Sequence, residues 1–291
     1  MQLIPWSHDS SAGFTLRGWR SPASGKPLLH FVHGNGFCCL AYQPLLLALS
    51  EHFDLWLCDV QGHGDSDHGG AFVGWNRSAM LAGEAFDAGC SEYGAVRRLA
   101  LGHSFGGVLT GLLLATRPGL FERAVLLDPV LFSRRMIGVM TVTALIGLHR
   151  HHALARKAAS RRSHWPDREA ARSSLQGRGI FKGWTDAALH AYVEHAIGDH
   201  GEGGVVLKCR PSREVEIFSS CPSRMWAHLL ALEAPTQVLY GDHTYPFVRQ
   251  SVQRLAKLNP AVSSQQVAGG HCFMQEDPDR AAQHIVDYLQ P

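Results

Sequence analysis

Ser104 lies in Gly102-His103-Ser104-Phe105-Gly106, after the apolar run Leu99-Ala100-Leu101 and before a helix-like stretch from Gly107 to Thr116. No other segment constrains the fold as much. A serine with glycine two residues away on both sides, set between strand and helix, requires a turn so tight that its backbone is strained and its hydroxyl stands clear. The small flanking residues keep strand and helix from colliding. A helix starting at the serine aims its unpaired N–H groups, and its positive dipole end, at any oxyanion formed there.

A serine hydroxyl is hardly ionised near neutral pH, so chemistry at Ser104 needs a base and a carboxylate. Two downstream strand ends offer them. Thr236-Gln237-Val238-Leu239-Tyr240 runs into Gly241-Asp242-His243, and Ser264-Gln265-Gln266-Val267-Ala268 runs into Gly269-Gly270-His271. Ser104, Asp242 and His271 are therefore the expected nucleophile, acid and base. An earlier strand, Leu28-Leu29-His30-Phe31-Val32, ends in His33-Gly34-Asn35-Gly36-Phe37, whose glycines let the backbone approach the nucleophile. The oxyanion donors expected are the Phe105 N–H and one N–H from this loop. Asn35, Gly36 and Phe37 can each supply it, with Gly36 or Phe37 preferred. His33 is read as a loop-holding residue.

These residues resemble the α/β-hydrolase fold family, and the likeness runs through nearly the whole chain. It includes the His33-Gly34 loop, the Asp59-Val60-Gln61-Gly62-His63-Gly64-Asp65-Ser66 loop, the serine turn, Asp242 and His271. His33-Gly34-Asn35-Gly36-Phe37 with Tyr42 is also similar to a bacterial subgroup of hydrolases. The resemblance implies an eight-stranded, mostly parallel sheet with helices on both faces and an inserted helical cap. The order Ser, Asp, His is the one the family uses. Some members carry the acid after the sixth strand, which makes Asp128 the rival to Asp242. The resemblance implies structural roles for His63 and Asp59.

The implied chemistry is hydrolysis of a small to medium, apolar carboxylic ester through an acyl-serine. Dehalogenases and epoxide hydrolases of this fold use an aspartate where this chain has Ser104. Asn35 matches a halide-binding asparagine of dehalogenases, but Phe105 stands where they carry tryptophan. Thioester or C–C cleavage on the same three residues, and ligand binding without catalysis, are the alternatives.

Composition sets the remaining bounds. The chain has 291 residues, 45% of them hydrophobic and 18% charged, enough for one buried core with an insertion. A net charge of +2 gives no reason to expect nucleic acid as a partner. Seven cysteines without C-x-x-C spacing read as reduced thiols in a cytoplasmic protein. Met1 to Ser11 lacks the pattern of a signal peptide. We expect no cofactor and no metal, a small-molecule ester as the partner, and a monomer or homodimer.

Strand-like runs open with an antiparallel pair, Gln2–Ile4 and Phe14–Arg17, and then alternate with helices as right-handed crossovers until Asp128-Pro129. From there to Thr236 the rhythm breaks. The domains expected are a core of residues 1–129 and 234–291 and a helix-rich cap of residues 130–233. Within the cap, the apolar run Met136 to Leu148 falls short of the ~20 residues of a membrane span. It reads as a buried helix, with pocket lining or membrane contact as lesser options. His149, His151 and His152 lack acidic or thiol partners at ligand spacing, so they read as a solvated face. The run Arg156 to Arg162 reads the same way, with attraction of an anionic substrate as its sharper alternative. Trp165, Phe181, Trp184 and Trp226 are core anchors first. Cys209 to Glu214 reads as a loop facing the site.

Overall fold

A computed structural model describes residues 1–145 and 153–290. Among these residues eleven strands are β1 (Ile4–Asp9), β2 (Thr15–Arg20), β3 (Leu28–Val32), β4 (Asp54–Asp59), β5 (Arg98–His103), β6 (Arg123–Leu127), β7 (His164–Trp165), β8 (Ile197–Asp199), β9 (Val205–Leu207), β10 (Thr236–Gly241) and β11 (Val262–Val267). Eight form one sheet in the order β1-β2-β4-β3-β5-β6-β10-β11. Only the β1–β2 and β2–β4 pairings are antiparallel. The expected eight-stranded, mostly parallel α/β sheet is therefore present. The first strand begins later than the sequence suggested, because Ser7, His8 and Asp9 lie on a half-exposed edge where polar residues hide the strand pattern.

Helices cover both faces. Before the break lie α1 (Gln43–Ser50), α2 (Trp75–Gly89) and α3 (Phe105–Thr116). Between β6 and β10 lie α4 (Arg134–Leu145), α5 (Ala153–Ala159), α6 (Arg168–Leu175), α7 (Asp186–His195), α8 (Pro211–Phe218) and α9 (Met225–Leu230). The chain closes with α10 (Pro246–Leu258), α11 (Phe273–Glu276) and α12 (Pro278–Leu289). Strand alternation splits the core in two. Leu28 and Val32 join Ala82 of α2 and Leu109 of α3 on one face. Leu29 and Phe31 join Leu45 of α1 and Ile285 of α12 on the other. Both faces of the central strands are thus apolar, as a covered parallel sheet requires.

The segment between β6 and β10 adds nothing to the large sheet. It carries its own three-stranded sheet, in the order β7-β9-β8, which the sequence reading did not contain. Two- and three-residue strands are too short to show a period. Part of the apolar run and all of His149–His152 lie outside the described residues. Within α4, Met140 is buried while Val139 and Val142 are exposed, so the helix is not buried all round. Among the described residues no helix is long and apolar enough to cross a membrane.

Candidate active site

The parallel strands end on one edge of the sheet, and the chemistry gathers there. Ser104 joins β5 to α3 with φ 54° and ψ −113°, a strained conformation for a residue with a side chain. Glycine is obligatory on either side. A Cβ on Gly102 would sit 2.4 Å from the Gly106 carbonyl oxygen, and one on Gly106 would sit 2.2 Å from that of Val32. The turn leaves Ser104 Oγ 2.8 Å from His271 Nε2.

The carboxylate set against His271 is that of Asp128, not that of Asp242. Asp128 Oδ2 lies 2.5 Å from His271 Nδ1. The same carboxylate accepts from Gly241 N–H at 3.0 Å and from the Thr244 hydroxyl, and it is fully buried. Asp242 instead accepts the Gly269 N–H at 2.9 Å and so holds the turn that carries His271. The two candidates follow neighbouring parallel strands, with Leu127 of β6 paired to Leu239 of β10. Asp128 comes one residue after its pairing partner position and Asp242 three residues after. Strand β10 therefore carries Asp242 past the level of the imidazole.

The oxyanion loop also departs from expectation. The Gly36 N–H donates to His63 Nε2 at 3.0 Å, and the Phe37 N–H to the Gly34 carbonyl at 3.2 Å. Both preferred N–H groups thus already have acceptors, one in the His63 loop and one in their own, while Asn35 and Phe37 line the same cavity as Ser104. Phe105 is the first residue of α3, where an N–H has no partner within the helix. His63 and His33 are structural. His33 Nε2 accepts the Val60 N–H at 3.1 Å, and burial holds both imidazoles below the ordinary histidine value, so they stay neutral acceptors. Asp59 Oδ1 accepts the Cys39 N–H at 2.7 Å, tying two loops together.

A buried chain of hydrogen bonds that sequence reasoning missed links three loops. The Gly34 N–H donates to Tyr42 Oη at 3.1 Å, and Tyr42 Oη donates to His103 Nδ1 at 2.6 Å. His103 Nε2 must then carry the proton, which it donates to the His271 carbonyl at 3.0 Å. Burial, with His271 alongside, pushes His103 well below the ordinary histidine value. Its sequence signal was the histidine inside Gly102-His103-Ser104.

Above Ser104 the inserted segment closes a cavity of about 360 Å³, walled by Phe37, Phe181, Phe218, Tyr245 and Phe247 among others. Arg161 Nη1 donates to Glu214 Oε1 at 2.7 Å, and Nη2 donates to the Tyr192 hydroxyl. Tyr192 in turn donates to the Gly36 carbonyl at 3.1 Å. Burial raises the Glu214 carboxyl, with Arg161 opposing it. The basic run is thus not only a solvated face, and the expected Cys209–Glu214 loop ends in helix α8, with Pro211 at its first turn. Among the described residues no cluster of histidine, cysteine and carboxylate side chains could hold a metal ion.

Comparison with known proteins agrees with this architecture. The model of the alpha/beta hydrolase family matches residues 31–284, and the chain belongs to that family. The human "Serine hydrolase-like protein" is 29% identical over 129 residues, 44% of this chain and 59% of that protein. The chain thus spans less than two thirds of the curated relative's length. The crystal structure of E-2-(acetamidomethylene)succinate hydrolase superposes with a TM-score of 0.81 at 20% identity, covering 100% of both chains. The thioesterase domain from the curacin biosynthetic pathway gives 0.73 at 18% identity, covering 98% of this chain and 100% of that one. At these identities the likeness is one of fold.

Proposed function

We propose that this chain is a serine hydrolase cleaving a carboxylic ester through an acyl-serine intermediate, with residues 130–233 acting as its cap. The observation that carries the reading is the run of contacts from Ser104 Oγ to His271 Nε2 at 2.8 Å and from His271 Nδ1 to Asp128 Oδ2 at 2.5 Å. Ser104 Oγ attacks the ester carbonyl carbon while its proton passes to His271 Nε2. Asp128 holds the imidazole and stabilises the imidazolium. The Phe105 and Asn35 N–H groups receive the oxyanion. On collapse the C–O bond breaks, and His271 gives its proton to the departing alkoxide. Water, deprotonated by the same imidazole, then releases the acid and regenerates Ser104.

The test compares wild type with Ser104→Ala on p-nitrophenyl esters from acetate to long-chain acids, followed by mass spectrometry after a fluorophosphonate probe. Turnover and probe mass on the wild type alone support the reading. Near-normal turnover by Ser104→Ala sinks it. Thioester substrates run alongside distinguish an alcohol from a thiol leaving group, the alternative that the thioesterase domain of the same fold raises.

A further inference from the structure

The cavity over Ser104 is lined by apolar side chains together with three basic ones. Lys157, Arg161 and Arg178 line it, with Glu214 as the acid. An adjoining cavity of about 620 Å³ also reaches His271 and is lined by Lys157 and Lys182, with Glu276 as the acid. The two acids are already engaged. Glu214 pairs with Arg161 at 2.7 Å, and Glu276 accepts the Gly270 N–H at 2.9 Å. Among the described residues no carboxylate lies within ion-pair reach of Lys157, Arg178 or Lys182. Nearby arginines of the same segment behave otherwise. Arg168 pairs with Asp199 at 2.6 Å and Arg172 with Asp186 at 3.6 Å.

We infer that the substrate carries a carboxylate set apart from the reacting carbonyl, held by Lys157, which lines both cavities, and by Arg178 in the cavity over Ser104. The inference rests on the serine hydrolase reading and narrows its substrate class. Lys157 lines both cavities, so it can serve a carboxylate on the acyl or the leaving-group side. Uncompensated cations around a low-dielectric cleft raise the local concentration of anions, and the effect fades with salt. Arg178 adds a planar fork that matches a carboxylate.

Two substrate pairs read the inference on wild-type protein. Mono-p-nitrophenyl adipate against p-nitrophenyl hexanoate tests the acyl side. 4-Acetoxybenzoate against its methyl ester tests the leaving-group side. We expect the anionic member of one pair to lead in kcat/KM by about tenfold at low salt, through KM, with the lead shrinking at roughly 0.5 M salt. In the Lys157→Gln/Arg178→Gln variant that anionic-to-neutral ratio falls towards one. Neutral esters preferred in both pairs, or a lead that neither salt nor the variant alters, would overturn the inference while the serine hydrolase reading stands. Absent turnover of every ester together with absent fluorophosphonate labelling would overturn both.

Discussion

The imidazole of His103 donates from Nε2 to the backbone carbonyl of His271, 3.0 Å away. The residue before Ser104 therefore fixes the loop carrying His271, and through Tyr42 it also fixes Gly34 in the loop after β3. Replacing His103 by Phe leaves the Tyr42 hydroxyl and the His271 carbonyl without their partner in a buried place. We expect a stability loss of about 1–3 kcal/mol, from unsatisfied buried polar groups. We expect kcat to fall about 10- to 100-fold with KM nearly unchanged, since only positioning is lost. Thermal melts and ester kinetics on the variant check both. A fall in stability with kcat intact would confine His103 to a structural role.

Asp128 and Asp242 make opposite predictions. Asparagine at 128 removes the charge facing the imidazolium, which should lower kcat by about 10³- to 10⁴-fold. Asparagine at 242 keeps an oxygen for the Gly269 N–H, and its effect should stay within about tenfold. Parallel kinetics of the two variants decide the assignment. A larger loss at 242 than at 128 would return the acid role to Asp242.

Much of this was legible in the chain. Short continuous apolar runs such as Leu28–Val32 and Ala124–Leu127 marked the strands buried on both faces, and glycine spacing marked the Ser104 turn, because sterics leave few other solutions there. The choice between two aspartates was not legible. They end adjacent parallel strands, and two residues of overhang on β10 separate them. The loop donor was hidden similarly, since the partner of Gly36 N–H is His63, 27 residues away. The inward face of Arg161 depends on Glu214 and Tyr192, which arrive from distant helices.

His30 sits in the middle of β3 between Phe86 and Phe121, with ring centroids 5.2 and 5.4 Å away. Neither ring nitrogen has a hydrogen-bond partner among the described residues. Burial lowers its pKa to about 3. The folded value thus lies below the unfolded 6.5, so between these values the unfolded chain binds the extra proton. Stability from this group is whole above about pH 6.5 and falls as pH drops towards 3. His30→Leu removes the term. The variant should be more stable at neutral pH by about 1–3 kcal/mol, since it relieves an unpaired polar burial. Its advantage should widen by up to about 1.4 kcal/mol per pH unit below 6.5. Urea unfolding at several pH values measures this, and a constant advantage would contradict the shift.

Arg161 and Glu214 join the inserted segment to the oxyanion loop. A Cβ on Gly36, which has φ 79°, would lie 2.9 Å from Glu214 Cδ and 3.0 Å from Arg161 Nη1, so the pair rests directly on that loop. Removing one partner leaves the other charge buried and uncompensated. Arg161→Met or Glu214→Leu should each cost about 2–4 kcal/mol, below the full buried-pair range because 17% of the Arg161 side chain still meets solvent. The double variant removes both charges, so it should cost clearly less than the sum of the singles. It also leaves no uncompensated charge against Gly36, so its kcat on p-nitrophenyl acetate should exceed that of either single variant. Denaturant unfolding and kinetics on all four proteins close the cycle. Purely additive losses would mean that the two charges do not depend on one another, and the oxyanion loop would then owe its place to His63, Tyr42 and Tyr192.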